Sequence, residues 1–320
     1  MKPSCTVLVL LPVYNGARYL AEQIASVLTQ QWEPAFADKI TVRLLCRDDG
    51  SSDHSPALLQ DFARRYPDAI TLLADESGNL GAAGNFSALM HYAELEIRSA
   101  PSTHCYIALA DQDDIWQGNK LQRSLTALLA AEGGDRETPV LVHSDLRVVD
   151  AGAHVIAESF MAYQGLRPAR DSLSAQLLSN TLTGCTALMN PALIRKALPV
   201  PAGAVMHDWW LSLIASAFGH RVYLDEALVD YRQHDRNTIG ARAHTKSVLS
   251  GQALRELLSN RRLPDRQQAF MEIATQAAEF SARHGDELSS AQRFVCRRIM
   301  ALPKAGLWWQ RVMFRVLRLL

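Results

Sequence analysis

The sequence has no surplus of either charge. Its 33 Lys and Arg are matched by 33 Asp and Glu, which argues against bulk electrostatic attraction to nucleic acid. Cysteine is scarce: Cys5, Cys46, Cys105, Cys185 and Cys296 are odd in number, and none form a C-x-x-C pair. That excludes an even disulfide framework and a zinc-ribbon spacing. Cys5, Cys46 and Cys105 lie in or beside apolar runs and read as buried thiols, which fits a reducing cytoplasm. No apolar run is long enough to cross a bilayer, and there is no internal repeat or low-complexity tract. Lys2 to Val13 has the outline of a short leader. It runs into Pro12, Tyr14 and Asn15 with no small-residue cleavage site, so it is read as a strand instead.

What is present suffices for a full core. The chain has 320 residues, 48% hydrophobic and 21% charged, within reach of one α/β domain with additions. Its first half alternates in period. Thr6 to Leu11, Ile40 to Cys46 and Ile70 to Ala74 read as strands. Ala17 to Gln30, Ser55 to Tyr66 and Ala82 to Ile97 read as helices. Such alternation implies βαβ units, a mostly parallel sheet and right-handed crossovers. A helix through Leu121, Leu125 and Leu128 follows, then a break at Gly133-Gly134 and Pro139. Pro139 to Val149 reads as one long strand or two short ones, Ala151 to Asp171 as an irregular loop, and Ser174 to Leu178 as a short helix. Thr183 to Met189 reads as a strand, Asp208 to Phe218 as a helix and Arg221 to Tyr231 as a strand. From about Thr245 onward the pattern is helical.

The stretch Tyr106 to Trp116 organises the rest. It begins as an apolar run and ends in Asp111, Asp113 and Asp114. A short apolar run of this kind is a strand buried on both faces, and ligands in open α/β sheets bind beyond the carboxyl ends of the strands. Three carboxylates there repel one another unless a cation joins them. Mg²⁺ suits carboxylate oxygens and substrate phosphates alike. A solvated acidic turn is the plainer alternative, and Asp114 alone fits it.

Three loops share that edge. Pro12-Val13-Tyr14-Asn15-Gly16 offers an aromatic face for a planar ring, or a simple turn. Asp48-Asp49-Gly50-Ser51-Ser52-Asp53 offers a carboxylate to a base N–H or ribose hydroxyls, and a cap for the next helix. Asn79-Leu80-Gly81-Ala82-Ala83-Gly84-Asn85 lets backbone N–H groups approach a ligand. It lacks G-x-G-x-x-G spacing and any Lys or Arg, so it is neither a dinucleotide nor a triphosphate loop. That absence also counts against a nucleotidyltransferase.

The order P-V-Y-N-G, D-D-G-S-S-D, N-x-G-x-x-x-N and D-Q-D-D-I-W resembles family-two glycosyltransferases of the GT-A fold. That fold is a Rossmann-like, mostly parallel sheet flanked by helices, here with a C-terminal helical extension. With the later T-G-C-T, H-D-W-W and Y-R-Q-H-x-x-N, the resemblance is to a bacterial rhamnosyltransferase-like branch and runs from about Val7 to Gly240. It implies donor contacts at Pro12, Tyr14, Asn15, Asp49, Asn79, Gly81, Asn85, Asp111 and Arg232. A divalent cation, Mg²⁺ or Mn²⁺, is implied at Asp113, with His234 and Asp111 as further ligands. Asp208 falls at the catalytic-base position, and acceptor contacts are expected from Trp209, Trp210, Gly184 and Cys185. One Trp of the pair is expected in the core. Related enzymes often carry an Arg shortly before the position of Asn85, where Gly84 stands here. Asp208 opens a helix, whose dipole is expected to favour the anion and lower its pKa.

The implied activity is inverting, metal-dependent and non-processive transfer, since no Q-x-x-R-W motif appears. The donor is a nucleotide sugar, with rhamnose from dTDP-rhamnose suggested by the branch. The acceptor is a cell-surface glycan or lipid-linked oligosaccharide. A non-catalytic sugar-nucleotide-binding module is the alternative. Residues 1–116 are assigned to the donor, 117–240 to the acceptor and base, and 241–320 to the helical extension. From Arg293 to Leu320 the extension carries basic residues and no acid. Arg311, Arg315 and Arg318 share a helical face, while Leu307, Trp308, Val312, Met313, Val316, Leu317 and Leu320 lie largely elsewhere. This reads as an interfacial helix at the cytoplasmic face of the inner membrane, or as a core or oligomer contact.

Overall fold

The computed structural model describes residues 5–37, 39–75, 77–99, 104–234 and 263–306. Strands β1 (Cys5–Val13), β2 (Ile40–Asp48), β3 (Ile70–Leu72) and β4 (His104–Leu109) lie in the order β3-β2-β1-β4, all parallel. Helices α1 (Leu20–Leu28), α2 (Ser55–Arg65) and α3 (Gly81–Ser99) connect them. Side chains of β1 alternate between two cores. Val7, Val9, Leu11 and Val13 pack with Leu20, Ile24 and Val27 of α1, while Leu8 and Leu10 pack with Phe86, Leu89 and Met90 of α3. Burial on both faces explains why the strand is continuously apolar. Each fully buried Leu or Ile contributes roughly 1.5–3 kcal/mol.

The crossovers through α1 and α2 pack on one face and that through α3 on the other. The winding therefore reverses between β1 and β4, which leaves a crevice beyond the carboxyl ends of these two strands. The acidic run after β4 emerges there.

The second half extends the same sheet. It comprises β5 (Ile115–Trp116), α4 (Lys120–Glu132), β6 (Val140–Val149), β7 (Val155–Ala157), α5 (Phe160–Gln164), α6 (Leu173–Leu178), β8 (Leu188–Met189), α7 (Pro191–Ala197), α8 (His207–Phe218) and β9 (His220–Arg232). The order continues β4-β8-β6-β9-β5, with β7 on β6. β6 and β9 are parallel, whereas β8 is antiparallel to both β4 and β6, and β5 is antiparallel to β9.

Three expectations change. Thr183 to Met189 is not one strand. Thr186 donates both its N–H and its hydroxyl to the Thr183 carbonyl, which winds Gly184–Thr186 into a 3-10 turn before β8. The loop from Ala151 to Asp171 contains β7 and α5, the latter capped by the Ser159 hydroxyl. Helix α7 was not anticipated; Asn190 caps it and Pro191 starts it.

Helices α9 (Leu263–His284) and α10 (Ser290–Met300) dock on the α3/α8 face. Phe270, Ile273 and Phe280 join Cys296 and Ile299 in a cluster with Trp210 and Leu213. This part of the extension therefore packs on the core. The basic helix carrying Arg311, Arg315 and Arg318, and Asn237 of the Y-R-Q-H-x-x-N motif, lie outside the described residues. Among the described residues no helix is long and apolar enough to cross a membrane.

Candidate active site

The loop after β1 is locked to the acidic run. The Tyr14 N–H donates to Gln112 Oε1 (2.8 Å), and the Tyr14 carbonyl accepts from Gln112 Nε2 (3.0 Å). A Cβ at Gly16 would meet Gln112 Oε1 at 2.3 Å, so the motif needs glycine there. Asn15 has φ 50 and accepts from the Ser52 N–H (2.8 Å), which ties the first loop to the second. Pro12 is partly buried within β1, opposite Arg47. The Tyr14 ring is half exposed and free to stack on a flat ligand.

Asp49 is almost fully buried and already engaged. Its Oδ1 accepts from Arg47 Nη1 (2.6 Å) and the Leu80 N–H (2.8 Å), and its Oδ2 from the Gly81 N–H (2.8 Å). Arg47 also pairs with Asp75 (2.6 and 3.0 Å) and donates to the Gly78 carbonyl (2.8 Å). Asn79 Nδ2 donates to the Asp49 carbonyl (2.8 Å). Asp49 thus anchors the N-x-G loop, and Arg47 was missed by sequence reasoning. The visible signal was a lone cation at the end of an apolar strand. Asn85 is also corrected. It is buried beneath Arg47, donates to the Arg47 carbonyl (3.4 Å) and keeps one buried oxygen without a partner, so it faces the interior and not a donor.

Beyond β4, pairing of β5 with β9 sets Ile115 opposite Asp230 and so brings Arg232 and His234 beside the acidic run. His234 Nε2 lies 2.8 Å from Asp113 Oδ2, and its ring stacks on Tyr19 at 5.0 Å. Arg232 is not a diphosphate contact here. Its guanidinium is buried, donating to the Asp113 carbonyl (3.0 Å), the Ala151 carbonyl (3.0 Å) and Glu22 (2.5 Å), and lies over Tyr19. Its N–H donates to Asp114 Oδ1 (3.2 Å). Arg232 therefore props the D-Q-D-D turn from below.

The ligand atoms of Asp111, Asp114 and Cys185 all lie within 4.8 Å of one another. Burial, then the charges of Asp113 and Asp208, push Asp111 up to about 7. Burial and the neighbouring Asp111 push Asp114 well above the carboxylate range, and its Oδ2 has no hydrogen-bond partner. Carboxylates so placed fit a divalent cation; the donors grouped here are Asp111, Asp114 and Cys185, while Asp113 and His234 pair with each other beside them. Cys185 is fully buried and its thiol is pushed well up by burial, so it stays protonated beneath the carboxylates. It does not line the acceptor face as expected. Deeper still, the Lys120 ammonium is buried 3.7 Å over the Trp116 ring, without a hydrogen-bond partner, and burial drives it down to about 7.

Asp208 stands in the first turn of α8. It accepts from the Trp209 N–H (2.7 Å) and Asn180 Nδ2 (3.3 Å), and an added Cβ on Gly184 would meet it at 3.4 Å. Its charge is felt at Asp111 together with that of Asp113, so the start of α8 lies near the end of β4. The expected lowering by the helix dipole does not prevail: burial outweighs the hydrogen bonds and raises Asp208 to about 6. The Trp pair divides. Trp209 is partly buried, with Nε1 donating to the Gln176 carbonyl (2.6 Å). Trp210 is fully buried against Phe280 and is removed from the acceptor set. His207 stacks on Phe86 at 4.0 Å as a buried neutral ring, lowered to about 3 by burial.

Residues 8–133 match the model of glycosyl transferase family 2. A dTDP-rhamnosyl transferase of Shigella flexneri, RfbG, is 24% identical over 252 residues, covering 74% of this chain and 76% of that protein. An uncharacterized glycosyltransferase of Rickettsia typhi is 26% identical over 238 residues, covering 72% of this chain and 64% of that protein. Among solved structures, residues 1–349 of S. aureus TarS in complex with UDP-GlcNAc superpose with a TM-score of 0.52 at 13% identity. That match covers 98% of this chain and 90% of that one.

Proposed function

We propose inverting, cation-dependent transfer of one sugar from a nucleotide donor, on the premise that the chain is a glycosyltransferase: residues 8–133 match glycosyl transferase family 2, a dTDP-rhamnosyl transferase is similar over most of the chain, and the fold is GT-A. What supports this reading is the pairing of His234 with Asp113 beside Asp111, together with the charge of Asp208 felt at Asp111, near the switch point of the sheet. We assign residues 1–116 to the donor and 117–240 to the acceptor and the base. Tyr14 stacks on the base of the nucleotide, and Asn79, Gly81 and Asp49 shape the loop beneath it. Asp111, Asp113 and His234 hold Mg²⁺ or Mn²⁺. When bound, the cation supplies positive charge against the diphosphate that departs.

The acceptor hydroxyl oxygen attacks the anomeric carbon as its bond to the diphosphate oxygen breaks, and the electron pair leaves with the diphosphate. The hydroxyl proton passes to Asp208, whose raised pKa suits a base near neutral pH. A single displacement inverts the anomeric centre. Trp209 and Gly184 flank the acceptor. The likeness to a dTDP-rhamnosyl transferase supports dTDP-rhamnose as donor and a cell-surface glycan or lipid-linked oligosaccharide as acceptor. Work at the cytoplasmic face of the inner membrane follows from such an acceptor.

A panel of nucleotide sugars, read by thermal stabilisation with Mn²⁺ and with EDTA, tests the proposal. A donor at 100 times its Kd stabilises the fold by about 2.7 kcal/mol. dTDP-rhamnose is expected to stabilise only with the cation. Stabilisation by no nucleotide sugar would refute the donor reading, and binding without nucleoside diphosphate release in the presence of glycan acceptors would favour a binding module.

A further inference from the structure

Arg221 opens β9 with about nine-tenths of its surface buried. Its guanidinium meets only neutral oxygens: Nη1 donates to the Pro168 carbonyl (3.3 Å) and Nη2 to Thr181 Oγ1 (2.6 Å), while Nε is buried without a partner. Among the described residues no carboxylate lies within ion-pair distance of it. The acid whose field reaches it, Asp171, is exposed. Burying a charge without a counter-ion is costly, and proteins normally pair such groups.

Thr181 also lines a shallow cleft with Arg167, Arg170, Ala175, Gln176 and Ser179. Gln176 holds its shape, with Nε2 donating to the Arg170 carbonyl (2.6 Å) and to Thr181 Oγ1 (3.0 Å). Arg167 and Arg170 line the cleft and Arg221 lies behind Thr181, and guanidinium groups take phosphate oxygens, often two at a time. The cleft adjoins the proposed base. Asn180, between Ser179 and Thr181, donates to Asp208, and the Gln176 carbonyl accepts from Trp209.

We propose that this cleft is a subsite for a phosphate group carried by the acceptor, held by Arg167 and Arg170 and charge-balanced against Arg221. It rests on the reading of Asp208 as the base, because it stands on that side of the site and not on the donor side. It gives the acceptor class a chemical definition: a sugar hydroxyl near a phosphodiester or diphosphate.

The test uses the full chain and inorganic phosphate as probe, titrated by calorimetry in EDTA. Wild type is compared with Arg167→Gln/Arg170→Gln, whose side chains are exposed or half-buried, and with Arg221→Gln. Millimolar phosphate is expected to bind wild type at one site and at least tenfold more weakly to each variant. Because Arg221→Gln removes a buried group and risks misfolding, the double variant decides the outcome. Equal binding to wild type and double variant, or no binding to wild type, overturns the proposal. A separate titration of wild type with nucleoside diphosphate and Mn²⁺ reports on the donor site alone, so failure of the glycosyltransferase reading shows there and not in the phosphate arm.

Discussion

Replacing Arg47 with Met removes the cation that three segments share. The side chains of Arg47 and Asp49 are about 3% and 2% exposed, whereas that of Asp75 is 26% exposed. The cost therefore sits on Asp49, which would keep only the Leu80 and Gly81 N–H donors for a buried charge. Breaking a buried pair by removing one partner costs about 3–5 kcal/mol. The more exposed Asp75 contact adds at most about 1 kcal/mol. Urea unfolding at pH 7, followed by tryptophan fluorescence, should show a loss in that range at an unchanged slope. Arg47→Met/Asp49→Leu should recover most of it, because no charge is then stranded. The difference between wild type and Arg47→Met should also narrow in acid. Arg47 holds Asp75 well below the carboxylate range, so this contribution is complete above about pH 4 and fades as pH falls further. A loss below about 1 kcal/mol for Arg47→Met would refute the claim that the network holds the loops after β2 and β3 together.

Asp208→Asn should lower kcat by about 10²–10⁴ while leaving donor affinity near wild type, since general-base catalysis is worth that much; near-normal turnover removes Asp208 from the role. The pH profile of kcat/KM should fall on the acid side through about pH 6, because a base raised to that value is protonated and idle below it. A profile flat down to pH 5 would contradict the assignment. Deleting residues after Pro303 should weaken binding to vesicles rich in anionic lipid, with little change in the unfolding midpoint of the core; unchanged partitioning would favour a core or oligomer contact for the basic helix.

Local pattern disclosed much of the architecture. Strands buried on both faces show as unbroken apolar runs, and β1, β2 and β4 were legible for that reason. The D-Q-D-D turn was legible because its charge follows such a run directly. What stayed hidden depends on partners far away in the chain. Arg232 pairs with Glu22, 210 residues distant, so no window around Y-R-Q-H could show that its guanidinium is already engaged. Cys185 and Asn85 looked like surface motif residues until the packing of β4 and β2 covered them. Asp208 illustrates competing effects. The helix terminus was visible in sequence and favours the anion, but the desolvation that overrides it arises only when α8 packs into the fold. Helix α7 is seven residues of mixed pattern, too short for periodicity to declare it.

The central claim is a donor diphosphate bound through a cation at Asp111, Asp113 and His234. The most direct measurement is calorimetric titration of the cognate nucleoside diphosphate into wild type and Asp113→Ala, each with Mn²⁺ and with EDTA. Wild type should bind at least tenfold more tightly with Mn²⁺ than with EDTA, and Asp113→Ala should bind equally weakly in both. Equal affinity of the wild type in Mn²⁺ and in EDTA would contradict the account.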